Sequence, residues 1–388
     1  MISFDKYPHW HNGADKTSEW AVGVESAFAY DYCRSMQNKP FLLMESSPSS
    51  TNWMPVAKLK RPGIHMLGSM QAIAGGADSV QYFQWRQSRG AFEKFHGAVV
   101  THNGSEHTRV FQDVTQVGAR LADLAHIKNT ETKARVAIIF DWDNLRGLDE
   151  QKSLRNVNRD FEQVIMEHYE AVIQNYVSVD VIAQTADFSR YKVIIAPMLY
   201  MFLPGTADKI RIFIKNGGTF IITFYSGMVN ENDLAFECFP PFALNDVFGI
   251  KAEETDSLED SDENSFNWEG KTYKVKRYCD LVQLYGAEVM AVYEQDFYAG
   301  LPVLTKNEYG SGMAYYMAAR SDVDFLRDFY ARVLCDTEIS QIVKSEYVKE
   351  RCDKEKQYVF LMNFSRDSRE ICGETLKGYE VKILEKYL

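Results

Sequence analysis

The chain has 388 residues, 46% of them apolar and 25% charged, with a formal net charge of −11. That length predicts two or three globular domains, and the negative balance excludes a surface built to hold phosphate backbones, so no nucleic-acid partner is expected. No apolar run approaches the roughly 20 residues of a membrane span, and "MISFDKYPHW" lacks the basic-then-apolar order of a signal peptide, so a cytoplasmic protein without a membrane partner is expected.

In chain order, "ISFDKYP" reads as a short strand and "SEWAVGVESAFAYDYCRSM" as a helix with Ser18 at its N-cap. "PFLLME" is a buried strand, "GIHMLGSMQAIAGGA" a helix that stops at Gly75 and Gly76, and "SVQYFQW" the next strand. "TRVFQDVTQVGARLADLAHI" is a long amphipathic helix. This alternation predicts parallel strands with crossover helices. Asn129 to Lys133 reads as a hinge. "ARVAIIFDWDN" opens a second α/β unit, followed by the helix "RDFEQVIMEHYEAVIQNY", the strands "SVDVIA" and "YKVIIAPML", a helix near "GTADKIRIFIKNG" and the strand "GTFIITFYS". That order predicts an open doubly wound sheet. The acidic stretch "KAEETDSLEDSDENS" reads as an exposed loop. Strand-like "KTYKVKRY", "AEVMAVY" and "LPVLTKNEYGSGMAYYMA" come next, then the helix "VDFLRDFYARVLC". From about 340 the tail is β-patterned: "VKSEYVKERC", "QYVFLMNFS" and "YEVKIL". Six cysteines are scattered without a CxxC pair. They predict reduced thiols, with neither a zinc site nor a disulfide framework.

Functional groups of a parallel α/β barrel gather at the C-terminal ends of its strands. Asp5 and Tyr7 follow the first strand, Glu45 the second, and Gln84, Trp85 and Arg86 end the third, with Glu93 and His96 in the loop beyond. Glu45 has two readings. It can cap the following turn, as acids at strand ends commonly do. It can also be a rigidly held carboxylate walled by Trp53, the arrangement glycoside hydrolysis requires. Glu93 and His96 suit sugar hydroxyls, since Glu accepts and His can donate. A lone His is also a common structural partner, and two candidate ligands without a third make a poor metal site. The many aromatic residues, 22 Tyr and 24 Phe among them, suit flat ligands as well as cores.

The segments "DKYP", "KPFLLMESSPSSTNW", "RPGIHMLGSMQAIAGGADSVQYFQWRQSRGAFEKFHGAVVTH" and "TRVFQDV" resemble glycoside hydrolase family 42, the prokaryotic β-galactosidases. The later pieces "VIIAPMLYM", "GGTFIITFYSG" and "VFLMNFS" match that family's layout. The resemblance implies an α/β fold: a partial (β/α)₈ TIM barrel, about strands six to eight, over residues 1–130. A class I glutamine amidotransferase-like, flavodoxin-like trimerisation domain would occupy 131–338, and a small β domain 339–388. It implies a retaining mechanism with Glu45 as nucleophile, and Tyr7, Trp53, Glu93 and His96 as substrate-binding residues. No cofactor and no metal are implied for these residues, because the family's cysteine zinc cluster lies in barrel sequence not represented here. The implied partners are a galactoside or related oligosaccharide and two further copies of the chain in a homotrimer.

A complete barrel takes about 250 residues, and the family's acid/base, in an Asn-Glu pair at the end of strand four, has no counterpart before Glu45. Retaining glycosidases need two carboxylates about 5–5.5 Å apart. The expectation is therefore a portion of a longer or split protein, inactive alone, with a possible further partner in a polypeptide that completes the barrel. The alternative is a non-catalytic assembly module of a split or truncated glycosidase. Amidotransferase activity is rejected, because that chemistry needs a Cys on a tight turn after a strand with a His partner. "VIIAPMLYMFLPG" has no Cys, and residues 134–334 hold only Cys238, Cys279 and His168 as candidates.

Overall fold

The structure, a computed structural model, describes residues 2–11, 18–157, 159–339 and 348–388. The chain divides into two compact units, Met1–Lys133 with Gln341–Leu388, and Ala134–Ser340.

In the first unit, Ser3–Asp5 (β1), Phe41–Glu45 (β2) and Ala77–Val80 (β3) form a parallel sheet in that order. Parallel neighbours need long crossovers, supplied by Glu19–Ser35 (α1) and Ile64–Ala74 (α2), and Arg109–Asp123 (α3) follows. Ser18 caps α1, its Oγ accepting from the Ala21 N–H at 3.2 Å, as its place before the apolar repeat predicts. Phe41, Leu43, Ala72 and Ala77 are core residues. The β1–β2 register pairs Phe4 with Leu43 but Asp5 with Glu45, skipping Met44. Irregularities of this kind re-aim the side chain that follows.

The second unit starts with Val136–Ile139 (β4), Trp142–Glu150 (α4), Phe161–Ile173 (α5), Val179–Ile182 (β5), Val193–Ala196 (β6), Thr206–Lys215 (α6) and Thr219–Thr223 (β7). The short Asn245–Phe248 (α7) leads into Ile250–Ser257 (β8), Asn264–Trp268 (β9), Lys271–Leu284 (β10) and Glu288–Val292 (β11). Pro302–Tyr309 (β12), Gly312–Met317 (β13), Ala319–Ser321 (β14) and Val323–Asp336 (α8) complete it. The main sheet runs β11-β12-β13-β7-β6-β4-β5. From β5 to β13 its strands are parallel and follow the flavodoxin-like order 2-1-3-4-5. Its strands are buried on both faces, with Ile194, Phe220 and Ile222 in the core, which explains their unbroken apolar runs. A smaller sheet runs β14-β10-β8, with β9 on β10.

Val348–Cys352 (β15), Lys356–Met362 (β16) and Val381–Tyr387 (β19) form an antiparallel sheet, beside the hairpin of Arg369–Ile371 (β17) and Glu374–Leu376 (β18). This β domain belongs to the first unit, and buried charges join them. The Lys349 ammonium pairs with Asp31 of α1. Arg351 donates to the Ile73 and Ala77 carbonyls at 3.0 and 2.9 Å and to Asp78 at 2.9 Å.

Three sequence expectations need correction. The third strand ends at Val80 rather than Trp85, although its pairing continues in the single bonds Gln81 N to Leu43 O and Phe83 N to Ser46 O. Gln84, Trp85 and Arg86 thus occupy a loop rather than a strand end. The acidic stretch 251–265 is mainly strand: its acids ride on β8, paired antiparallel with β10, and its turn is confined to residues between β8 and β9. The hinge at 129–133 is tied down: Glu131 and Cys352 exchange backbone hydrogen bonds of 2.8 and 2.7 Å, and Arg351 donates to the Thr130 carbonyl at 3.0 Å. Residues 340–347, read as part of the β-patterned tail, lie outside the described residues.

Candidate active site

Glu45 closes β2, and its partly buried carboxylate receives a hydrogen bond from the Tyr7 hydroxyl, 2.7 Å to Oε2. Tyr7 is two residues beyond β1, on a segment fixed by the Lys6 N–H to Glu45 O bond of 3.0 Å. Burial first, then the hydrogen bond to Glu45 and the negative charges around it, raise the Tyr7 phenol well above its ordinary value. It is therefore a permanent donor to that carboxylate. Asp5, opposite Glu45 in the register, is exposed, and partial desolvation followed by the charge of Glu45 raises its carboxyl.

Two loops bring the remaining groups to Tyr7. After β2, Ser46–Trp53 turns back across the strand end. The Ser47 hydroxyl donates to the Ser49 carbonyl at 2.8 Å and the Lys60 ammonium binds the Ser47 carbonyl. The second loop contains a 3₁₀ turn at Phe92–Phe95, closed by the His96 N–H to Glu93 O bond of 2.9 Å. The loops meet where Gly97 N donates to Ser50 O at 2.8 Å. A Cβ on Gly97 would lie 2.2 Å from Ser49 Oγ and 2.8 Å from Ser50 O, so only glycine fits that approach.

The meeting of the loops builds an aromatic wall. Trp53 stacks on His96 at 4.9 Å between centroids and 14° between planes, and meets Tyr7 edge-on at 5.1 Å. His96 also meets Tyr7 edge-on at 5.9 Å. Trp53 remains 51% exposed, so one side of the wall is open, whereas His96 is fully buried. Asn52 links the loops: its amide nitrogen donates to the Phe92 carbonyl at 2.7 Å and its Oδ1 lies 3.3 Å from His96 Nδ1. With the Asn52 nitrogen committed, Oδ1 is the acceptor and Nδ1–H the donor. His96 Nε2 is buried without a hydrogen-bond partner among the described residues. Burial lowers the His96 pKa, partly offset by the Phe83 backbone and by the charges of Glu93 and Glu45. The ring is therefore neutral near pH 7 and its Nε2 can accept from a hydroxyl.

Tyr7, Glu45, Trp53 and His96 thus form one constellation, and Glu93 stands on the adjoining turn, exposed, with its charge felt by Tyr7 and His96. Trp85 and Arg86 are exposed rather than part of the wall. Gln84 accepts from Ser88 at 3.1 Å and leaves a buried amide nitrogen unpaired. Asn52 and Lys60 were not anticipated. The pairing of Asn52 with the Trp of "STNW" was the available signal for the first, and nothing in the spacing marked the second. Among the described residues no group of three or more His, Cys, Asp or Glu could hold a metal ion, and no helix is long and apolar enough to cross a membrane.

In the second unit, the turn after β6, where an amidotransferase carries its Cys, holds Met198 in a left-handed conformation, φ 42°. Its N–H donates to Thr223 Oγ1 at 2.8 Å. His168 is buried on α5 against the Tyr330 hydroxyl, Cys279 is buried in β10 and Cys238 is exposed.

Comparison with known proteins matches residues 1–124 to a β-galactosidase family model, 134–340 to the β-galactosidase trimerisation domain and 347–386 to the β-galactosidase C-terminal domain. The chain is similar to β-galactosidase Pbg of Clostridium perfringens, 45% identical over 385 residues, covering 96% of this chain and 55% of that protein. It is 44% identical over 384 residues to β-galactosidase BglY of Alicyclobacillus acidocaldarius, again covering 96% and 55%. Among solved structures it matches Gan42B, a family 42 β-galactosidase from G. stearothermophilus, with a TM-score of 0.95 at 40% identity, covering 100% of this chain and 59% of that one. The β-galactosidase of Bacillus circulans sp. alkalophilus matches with a TM-score of 0.91 at 35% identity, covering 99% and 60%. The chain spans about half the length of the curated relatives it matches. It belongs to the glycoside hydrolase family 42 β-galactosidases and represents their C-terminal portion: the end of the catalytic domain, the trimerisation domain and the C-terminal domain.

Proposed function

We propose that the chain is the nucleophile-bearing portion of a retaining β-galactosidase that removes terminal β-D-galactosyl residues from small glycosides. The observation that carries this reading is the Tyr7 hydroxyl on Glu45 Oε2, beside the Trp53–His96 stack. With Oε2 held by Tyr7, Oε1 is free to attack the anomeric carbon. The C–O bond to the aglycone breaks as a glycosyl ester forms on Glu45. An acid/base carboxylate, supplied by barrel sequence outside these residues, protonates the departing oxygen and then activates the water that hydrolyses the ester. Trp53 supports the apolar face of the sugar. Glu93, exposed on the adjoining turn, accepts from its hydroxyls, and His96 takes part from behind the wall, where its ring backs Trp53.

The proposed division is 1–130 for the barrel end, 131–338 for the trimerisation domain and 339–388 for the β domain, in a cytoplasmic homotrimer. A second reading, a non-catalytic assembly module, is favoured by the share of the chain that matches the trimerisation domain. Co-expression with the preceding barrel half of a family relative separates the two. Turnover of an aryl β-galactoside that falls by several orders of magnitude in Glu45→Gln supports the enzyme reading. Trimer assembly with no turnover in any combination supports the module.

A further inference from the structure

Behind the nucleophile strand lies a small cavity of about 10 Å³, lined from β2, β3 and α2. β2 has a strand on either side, and α2 packs against both α1 and α3. This layer is therefore closed by residues of the first unit itself. The polar groups in the cavity wall are Ser46, Lys60, His65 and Tyr82.

Lys60 connects this cavity to the nucleophile loop. Its ammonium binds the Ser47 carbonyl, two residues beyond Glu45. Ser47 is also the knot of that loop, because its Oγ donates to Ser49 O at 2.8 Å and accepts from the Ser49 N–H at 3.2 Å. The ammonium thus closes the turn that leads from Glu45 to Asn52 and Trp53. From α3 the charge of Asp113 acts on Lys60, but that carboxylate is paired with Arg109 at 3.0 Å. From α2 it faces His65, kept neutral by burial. The phenols of Tyr82 and Tyr30 also line the cavity, and burial keeps both protonated. His65 Nε2 is buried without a hydrogen-bond partner among the described residues. A cavity of this size takes one water, which can accept from Lys60 and serve His65 Nε2. Burial brings the Lys60 ammonium down to about 7, with Asp113 opposing the shift, so its proton is exchangeable at neutral pH.

We propose that Lys60 is a positioning residue for the reaction at Glu45: its ammonium, on the Ser47 carbonyl and joined to His65 through one buried water, fixes the turn behind the nucleophile, and loss of its proton loosens that turn. A charged donor makes a hydrogen bond roughly twice as strong as a neutral one. The inference rests on the reading of Glu45 as nucleophile.

The test is the rate at which a 2-deoxy-2-fluoro-β-galactoside with a dinitrophenolate leaving group esterifies Glu45, on the chain assembled with a complementary barrel half. That leaving group departs without a proton, so the general acid does not enter the pH dependence. Between about pH 6 and about pH 8.5 the wild-type rate should fall roughly fivefold, with its midpoint near 7. Lys60→Met should be about tenfold slower at the acid end and flat across the range. Lys60→Arg, which keeps its charge throughout, should lose the alkaline fall. A flat wild-type profile overturns the proposal, and so does an undiminished fall in Lys60→Met or Lys60→Arg. If Lys60→Met does not fold, the wild-type and Lys60→Arg profiles decide. An assembled enzyme that turns over yet forms no ester at any pH removes the reading of Glu45 instead, and this inference falls with it.

Discussion

Glu45 ends a buried strand with one carboxylate oxygen engaged by Tyr7 and the other uncommitted in the hydrogen bonding described. Removing the phenol leaves the ring stack intact but frees the carboxylate to rotate. A hydrogen bond to a charged group contributes about 1.5–3 kcal/mol, so Tyr7→Phe in the completed barrel should lower kcat for an aryl β-galactoside by roughly 10–100-fold. Its melting temperature should be nearly unchanged. Equal kcat would assign Tyr7 to packing alone. Residue type alone left Glu45 open between a cap and a nucleophile and His96 between a structural partner and a ligand. The resemblance of "LMESSPSSTNW" and "EKFH" singled them out, and the fold brings Glu45, Trp53 and His96 together around Tyr7. The role of Asn52 was not legible, since it exists only once two loops 40 residues apart in sequence are brought together. The partnerless Nε2 of His96 is likewise a property of packing and not of spacing.

At the scale of elements, the two site loops depend on their closest approach. Gly97→Ala puts a methyl group 2.8 Å from Ser50 O and 2.9 Å from Ser50 N, both backbone. Overpacking of this kind costs about 1–3 kcal/mol. The variant should melt earlier and lose the Trp53–His96 stack, seen as a change in Trp fluorescence. An unchanged spectrum and stability would show that the loops tolerate separation. Alternating helix and strand periods revealed most elements correctly, including the doubly wound sheet. The strand at 250–257 was hidden because its exposed positions are acidic, and composition resembles a loop when the pairing strand lies 25 residues away, as Thr255 does from Asp280. The hinge reading failed for a related reason. The partners of Glu131 and Thr130 are Cys352 and Arg351, too distant in sequence for local pattern to show.

For the whole molecule, the two buried histidines with the largest shifts contribute a response to acid. His65 on α2 and His168 on α5 are each lowered to about 3, in both cases mainly by burial. Folded, they remain neutral, whereas unfolded histidine takes a proton near pH 6.5. The unfolded chain therefore binds more protons between about pH 6.5 and 3, so stability is complete above 6.5 and falls as pH drops through that window. Each group accounts for several kcal/mol at the lower limit, on the order of one pKa unit per 1.36 kcal/mol. Denaturant titrations from pH 7.5 to 4.5 should show this decline, and His168→Gln should flatten it for the 134–340 unit. A pH-independent midpoint would mean that both rings are accessible to protons in the fold.

The central claim is that Glu45 forms the glycosyl bond. Its most direct test is trapping with a 2-deoxy-2-fluoro-β-galactoside bearing an activated leaving group, on the chain assembled with a complementary barrel half, followed by peptide mass spectrometry. A retaining mechanism at this site predicts one added fluorogalactosyl group on the peptide containing Glu45, absent in Glu45→Gln. Active enzyme that carries the label on another carboxylate, or turns over without any trapped ester, would contradict the account.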